Sequence, residues 1–467
     1  MSRMQDTNAS GTSRRDFLKG TGRIAAASAL AGVALPHVHA ASDDTIQLAF
    51  VGCGGRGTGA ANNALSTSRG PTKLIAMADV FPGRLQSSYE NIRRQRGDQV
   101  DVPADRRFIG FDAYKKAMDC LKPGDVVILT TPPAFRWVHF TYAIEKGLNV
   151  FMEKPVAVDG PAARRMLKLN ETAKTKNMKV GVGLNSRHAR HLQELAKRVH
   201  DGEIGDIILE RGYRMHGPAG TFQSLPKPDN LTELQYQIQR FHSFIWASGG
   251  NFNDFYIHII DHLSWMKNAW PVKAQALGGR HYRNSPEGIP YVDQNFDTYS
   301  VEYTFADGTK MFFDGRCMNG CYSNFSSYVH GTKGSAIASR NGDCGGPSAI
   351  FKGQTPRRSD MVAELKSPPG EEDWYLNEWN DLMEAIRNDQ TYNEVDRGVT
   401  VSAISSMGRM AAHTGQELTY EDFLNCEHEM APDLDKLVDW NSPAPLVADA
   451  DGRYPVPQPG IKRDREY

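Results

Sequence analysis

The feature that most constrains this chain is Gly52-Cys53-Gly54-Gly55-Arg56-Gly57. It follows the apolar, β-prone run Ile46-Gln47-Leu48-Ala49-Phe50-Val51 and precedes the helix-like Ala60 to Leu65. Glycines 52, 54 and 57 satisfy G-x-G-x-x-G in the strand, turn, helix setting that gives this short motif its meaning. Such a turn takes dihedrals that disfavour a Cβ, lets a pyrophosphate approach the backbone, and packs the helix tightly on its strand. The helix N-terminal amides then face the phosphates. Asp79 lies about 20 residues further on, at the end of the next apolar run, where a carboxylate accepts hydrogen bonds from ribose hydroxyls and repels a 2′-phosphate. NAD is therefore expected in preference to NADP, with Arg84 weakening that preference slightly. A ligand-free glycine turn and a flavin site are the lesser readings.

Apolar runs continue at Lys73 to Ala78, Asp125 to Thr130, Asn149 to Met152 and Lys179 to Leu184, with helical patterns at Tyr114 to Cys120, Phe140 to Lys146 and Ala162 to Lys176. Alternating strands and helices predict a doubly wound parallel α/β (Rossmann) sheet over residues 41–184. After a helical stretch from His188 to Asp201, strand-like runs dominate, among them Ile207 to Tyr213, Thr298 to Phe305 and Lys310 to Phe313. They predict a second, α+β domain over 185–440 with a large, mainly antiparallel open sheet. Gly and Pro clusters at 217–228 and 341–369 read as long loops, Trp374 to Asn388 and Thr400 to His413 as helices, and 441–467 as a tail without period.

Fifty-four Lys+Arg against 55 Asp+Glu leave a net charge of −1, so no overall field favours nucleic acid or an anionic membrane. Six cysteines without a CxxC pair are too sparse for a disulfide scaffold. Residues 1–40 read as an export signal: Ser13-Arg14-Arg15-Asp16-Phe17-Leu18-Lys19, an uncharged stretch from Ile24 to Leu35, then Val38-His39-Ala40 before the expected cut. That stretch is shorter than the roughly 20 apolar residues a membrane span requires, so no stable membrane insertion is expected. The paired arginines resemble the twin-arginine signal, whose machinery exports folded proteins, and imply a periplasmic or otherwise exported protein with its cofactor already bound.

The segment Gly147-Leu148-Asn149-Val150-Phe151-Met152-Glu153-Lys154-Pro155, after Thr130-Thr131-Pro132-Pro133 and His139, resembles the Gfo/Idh/MocA oxidoreductases. The resemblance continues at Gly202-Glu203-Ile204-Gly205 and at Gly249-Gly250-Asn251-Phe252-Asn253-Asp254-Phe255-Tyr256-Ile257-His258-Ile259-Ile260-Asp261. It implies that Lys154 contacts both nicotinamide and substrate, and that Gly52, Gly54, Gly55, Arg56, Gly57, Asp79, Thr131, Pro132, His139, Glu153 and Lys154 hold a tightly bound NAD. It further implies a homodimer or homotetramer formed through the second sheet. The family's Asp-x-Gly-x-His pattern carries Tyr256 in place of glycine, a change expected to reshape the pocket.

Oxidation of a secondary alcohol needs a base for the hydroxyl proton while hydride leaves the same carbon. His258 is the expected base because imidazole titrates near neutrality. Asp254, four residues earlier, shares its helix face and orients the ring or binds substrate. Lys154 donates to the substrate oxygen, and burial beside an oxidised ring is expected to lower its pKa. Glu153 is expected on the nicotinamide ribose, and Arg187 either reaches substrate or packs between domains. His258 and His262 are spaced like paired zinc ligands on a helix, but no glutamate follows His258 and no third ligand is distinct, so no metal is expected. His188 and His191 read as a solvated helix face, Tyr213 and Tyr256 as core aromatics, and Cys317 and Cys321 either as an extracytoplasmic pair or as loop cysteines. The expected activity is NAD-dependent oxidation of a sugar, sugar derivative or cyclitol. The alternative is a redox-neutral glycoside hydrolase or lyase that returns the hydride to the same sugar, with a non-catalytic sugar-binding protein third.

Overall fold

The computed structural model describes residues 44–281 and 284–467, so the expected leader lies outside the described residues. Six parallel strands form the first sheet: β1 (Ile46–Val51), β2 (Thr72–Asp79), β3 (Arg107–Ile109), β4 (Val126–Leu129), β5 (Asn149–Met152) and β6 (Val180–Val182). Their order is β3-β2-β1-β4-β5-β6. The inner strands are apolar throughout, because helices cover both faces of a parallel sheet and leave no polar side to alternate with. β4 and β5 are buried at every residue. The strand order reverses between β1 and β4, and the loops at that crevice carry the glycine turn and the Thr130-Thr131-Pro132 segment. One helix between these strands, Pro82–Arg96, has no counterpart among the expected elements, because only Leu85, Ser88, Tyr89 and Ile92 bury one side of a largely polar helix.

The second sheet has nine strands: β7 (Ile207–His216), β8 (Lys273–Gly279), β9 (Thr298–Thr304), β10 (Lys310–Cys317), β11 (Asn324–Gly331), β12 (Ser335–Arg340), β13 (Ser348–Phe351), β14 (Met361–Leu365) and β15 (Leu418–Thr419). They run β14-β13-β12-β11-β7-β10-β9-β8-β15, antiparallel except for the β7/β10 pair. The expected α/β plus mainly antiparallel architecture is the one observed. The Gly- and Pro-rich stretch 341–369, expected as a loop, contains β13 and β14, whose pairing with β12 outweighs its turn-rich composition.

Helix Ile257–Lys267 covers one face of β7. Its approach depends on Gly212, where a Cβ would lie 2.4 Å from Ile259 Cγ2. Helix Val395–Thr414 joins the two sheets, with Gly398 against Val182 of β6 and Gly408 against the Tyr303 hydroxyl of β9. Helix Trp374–Arg387, expected within the second domain, packs on the first sheet, its Trp379 ring 4.5 Å from Phe151. Residues 441–467 contain no helix or strand, yet they end in a buried ion pair between Glu466 and Arg409. Among the described residues no helix is long and apolar enough to cross a membrane.

Candidate active site

A cavity of about 600 Å³ opens along the C-terminal ends of β1, β2, β4 and β5. At its first end lies the glycine turn. A Cβ on Gly52 would sit 2.7 Å from Thr131 N, and one on Gly57 2.3 Å from Thr130 Oγ1, so these two glycines are required by packing. Around Gly54 and Gly55 no atom lies within 4 Å of the Cβ position, and both line the cavity. Gly54 caps helix Gly55–Ala64 without any side-chain hydrogen bond, which leaves the first helical N–H groups free for an anion. The bare backbone, the uncapped amides and the acid that ends β2 fit the pyrophosphate and ribose of a dinucleotide.

Asp79 lines the same end. Its Oδ2 accepts from Cys53 N–H (2.6 Å) and its Oδ1 from Phe81 N–H (2.8 Å), so it braces the turn while each oxygen keeps lone pairs for ribose hydroxyls. Burial raises its pKa, opposed by these amides and by Arg84. Thr131, Pro132 and His139 also line the cavity, and Thr131 Oγ1 lies 3.1 Å from His139 Nδ1. Burial, followed by the Arg136 charge, lowers the His139 pKa to about 3, so this imidazole stays neutral.

Two expected cofactor contacts differ. Arg56 turns back to Glu153, its Nε donating to Oε1 at 2.6 Å, and its guanidinium stacks 4.4 Å from the Tyr375 ring. Both side chains line the cavity, but their strongest partners are each other: Arg56 is a brace more than a phosphate ligand, and Glu153 is already engaged by a cation before any ribose. Neither contact follows from spacing, because 97 residues separate the pair.

At the other end Lys154, just beyond β5, meets a π-helical turn, Phe252–Tyr256, that leads into helix Ile257–Lys267. Lys154 Nζ donates to the Asp254 carbonyl at 2.5 Å and lies 3.6 Å from its Oδ1. Thr221 N–H donates to His242 Nδ1, which leaves Nε2 as the protonated nitrogen facing Asp254 Oδ2 at 3.2 Å. Burial alone would raise the Asp254 pKa, but Lys154, His242 and His258 together hold this carboxyl below the usual range. His258 Nε2 lies 3.8 Å from Asp343 Oδ2, beyond hydrogen-bond reach. Burial, with help from Lys154 and Arg214 and against Asp343, lowers the His258 pKa to about 4. A neutral imidazole thus faces the cavity with a carboxylate ready to stabilise its protonated form.

Lys154, Asp254 and His258 are brought together; Arg187 is not. Its guanidinium grips Asp261 at 2.8 and 2.9 Å, lies 4.8 Å from the Trp265 ring, and is not among the residues lining the cavity. A cation this close to a buried carboxylate satisfies that charge, which corrects the expectation of a substrate contact. Tyr256 is also turned away: its ring fills the space that a Cβ on Gly315 of β10 would enter, so it packs on the sheet and does not shape the cavity wall. His262 lies 2.6 Å from Ser327 Oγ. His188 is buried rather than solvated: burial opposes its charge, but Asp381 at 2.7 Å and Glu394 raise its pKa to about 10. His191 is buried too, and Cys317 and Cys321 are free thiols.

Sequence reasoning missed His242, Arg214 and Asp343. Arg214, two residues before the end of β7, hydrogen-bonds the Phe255 carbonyl and lies 3.5 Å from Asp343, which sits in the β12/β13 connection. The one sequence signal was the Arg240-Phe241-His242-Ser243 cluster shortly before the glycine pair at 249–250. Its ring stack, with Phe241 3.8 Å and Phe255 5.6 Å from His242, forms an apolar wall beside the charged groups.

Residues 46–184 match the family model described as "Oxidoreductase family, NAD-binding Rossmann fold", GFO_IDH_MocA. Inositol 2-dehydrogenase of Rhizobium meliloti (strain 1021) is 28% identical over 204 residues, which are 44% of this chain and 50% of that protein. The chain thus spans about half the length, or less, of the curated relatives it matches. Aldose-aldose oxidoreductase from Caulobacter crescentus, solved with glycerol, shares the fold with a TM-score of 0.59 at 17% identity, covering 80% of this chain and 99% of that one. Levoglucosan dehydrogenase, solved with NADH and levoglucosan, does so with a TM-score of 0.61 at 16% identity over the same shares. Residues 46–184, carrying the glycine turn, Asp79 and Glu153-Lys154, thus form a Rossmann domain that is similar to the NAD-binding domain of the Gfo/Idh/MocA oxidoreductases.

Proposed function

We propose that this protein is an NAD-dependent dehydrogenase acting on a secondary hydroxyl of a sugar, sugar derivative or cyclitol. The observation that carries the reading is the meeting of Lys154, Asp254 and His258 in the cavity that begins at the glycine turn. A nicotinamide bound there supplies the hydride acceptor. Lys154 Nζ holds the substrate oxygen and stabilises the alkoxide that develops on it. His258 Nε2 takes the hydroxyl proton, and Asp343 stabilises the imidazolium so formed. Asp254, fixed as an anion by Lys154 and His242, orients the lysine and accepts from a neighbouring substrate hydroxyl. Two cations, Lys154 and Arg214, face two carboxylates, Asp254 and Asp343, which suits a neutral polyol better than a charged substrate. Phe241 and Phe255 exclude water on one side.

The inositol and levoglucosan dehydrogenases among its relatives support the substrate class, and Asp79 supports NAD over NADP. Export through the twin-arginine pathway rests on Arg14, Arg15 and the uncharged stretch after them. An exported enzyme has no free nicotinamide pool, so NAD is held tightly and reoxidised in place by a second substrate. Assembly into a homodimer or homotetramer through the second sheet completes the proposal.

The test supplies purified protein with NAD and a panel of sugars, cyclitols and aryl glycosides, following reduced-nicotinamide absorbance and product. The expected result is substrate-dependent reduction that falls at least about a hundredfold in Lys154→Ala and in His258→Ala. Near-normal turnover in both folded variants refutes the assignment. Glycoside cleavage without accumulated reduction replaces it with the redox-neutral hydrolase.

A further inference from the structure

The cavity is lined in part by a segment of the chain more than 350 residues away from Asp79 in sequence. Leu434, Asp435, Leu437 and Val438 line the cavity together with Asp79, Phe81 and Tyr114. Two residues further on, the Trp440 ring lies 5.1 Å from Phe81 and 5.0 Å, edge-on, from Phe111. Phe81 and Phe111 follow β2 and β3, the strands on the Asp79 side of the crevice. The aromatic clasp therefore closes over the end where the adenosine half of a dinucleotide would lie, away from Lys154 and His258.

The attachments of this segment are uneven. Before it, Met430 N–H donates to Asp159 Oδ2 at 3.0 Å, and Met430, Ala431 and Leu434 are buried. After it, Gln237 Nε2 donates to the Leu446 carbonyl at 2.6 Å, and the chain end is locked by Glu466 and Arg409. Between these anchors, the hydrogen bonds that residues 434–440 make among the described residues stay within 433–442, such as Lys436 to Asp433, and Val438 and Asp439 N–H to Ser442 Oγ. The middle is thus held over the cavity by side-chain packing, while both ends are tied. Segments fastened this way open at low cost without unfolding their neighbours. Arg84, whose guanidinium lies 4.4 Å from the Phe81 ring, donates from Nη2 to the Gln239 carbonyl at 3.1 Å, bridging helix Pro82–Arg96 to the second domain.

We propose that Leu434–Trp440 completes the adenosine side of the dinucleotide site, with Trp440 as the clasp whose opening sets the rate of cofactor release. The inference rests on the NAD-binding reading and adds to it a binding element from the opposite end of the chain. It also explains how a cofactor is retained without a covalent bond: the nucleotide leaves only after Trp440 parts from Phe81 and Phe111.

The experiment measures NADH release by fluorescence after mixing the loaded protein with excess NAD, in the unaltered chain, Trp440→Ala and Trp440→Phe. Binding of reduced nicotinamide mononucleotide, which lacks the adenosine half, serves as the second readout. Trp440→Ala is expected to release NADH at least tenfold faster, Trp440→Phe to stay within about threefold of the unaltered chain, and mononucleotide binding to be unchanged in both. Leu437→Ser, expected to speed release several-fold, keeps the test decisive should Trp440→Ala not fold. Equal release from every variant, or equal loss of mononucleotide binding, overturns the lid alone. An unaltered chain that binds no dinucleotide overturns both the lid and the function it rests on.

Discussion

Replacing Glu466 with Gln removes one charge at the penultimate residue, and the structure predicts a large effect. Glu466 is 1% exposed and Arg409 0% exposed. Arg409 Nη2 and Nε donate to Glu466 at 2.7 and 2.9 Å, and His413 Nδ1 donates to Oε2 at 2.6 Å. Tyr299 OH lies 2.8 Å from His413 Nε2, which suits a neutral ring, and burial lowers the His413 pKa. The charge pair is therefore Arg409 with Glu466. Burial works against the carboxylate, but Arg409 and then His413 lower its pKa from 4.5 to about 2. That difference corresponds to stability on the order of 3 kcal/mol. Because the folded pKa is the lower one, this contribution is fully present above pH 4.5 and is lost as the pH falls toward 2. At pH 7, Glu466→Gln leaves the Arg409 charge buried without a counter-charge, at a cost of about 3–5 kcal/mol.

The brace also reaches the catalytic groups. Arg409 Nη1 donates to the Gly249 carbonyl and Nη2 to the Val158 carbonyl, both at 2.9 Å, on the segments that carry Asp254 and Lys154. Urea unfolding followed by tryptophan fluorescence measures the stability loss, and kcat at saturating substrate reads the positioning. The expected result is a loss of about 3–5 kcal/mol together with lower kcat under conditions where the variant is fully folded. A loss below about 1 kcal/mol, with unchanged denaturant sensitivity, would refute the charge argument. An unchanged kcat would refute the link to the catalytic segments.

Two other outcomes follow from the site's electrostatics. Since His258 acts unprotonated and its pKa is lowered to about 4, kcat/KM should fall only as the pH drops through about 4. An acid limb near the ordinary histidine value of 6.5 would assign the base elsewhere. Arg187→Ala should destabilise the fold by about 3–5 kcal/mol, because Asp261 is left buried and unpaired, while KM for substrate stays unchanged. A raised KM in a folded, NAD-loaded variant would return Arg187 to the substrate site.

How much was legible in advance depended on how locally each feature is encoded. The glycine turn and Asp79 are set by strand ends and turns a few residues long, so their placement in one crevice followed from pattern, whereas Glu153-Lys154 was placed there by the family resemblance of the segment that carries it. Helix Trp374–Arg387 was legible as a helix, but its seat on the first sheet was not, because an apolar stripe does not say which sheet it covers. The roles of Arg56, Arg187 and His188 escaped for a related reason: a side chain's partner decides whether it binds, braces or carries charge, and those partners are 97, 74 and 193 residues away.

The sequence by itself determined the parallel sheet, the dinucleotide crevice and the juxtaposition of Asp254 with His258, since each depends on residues adjacent in the chain or one helical turn apart. Only the tertiary structure decided what completes the site. His242 comes from the 3-10 turn Phe241–Ser243 before the π-helical turn, Arg214 from near the end of β7, Asp343 from the β12/β13 connection, and Trp440 from beyond the last helix. Such residues meet because two sheets and the helix between them pack in one way, and that packing is a sum of many weak, nonspecific burials that leaves no motif in the sequence.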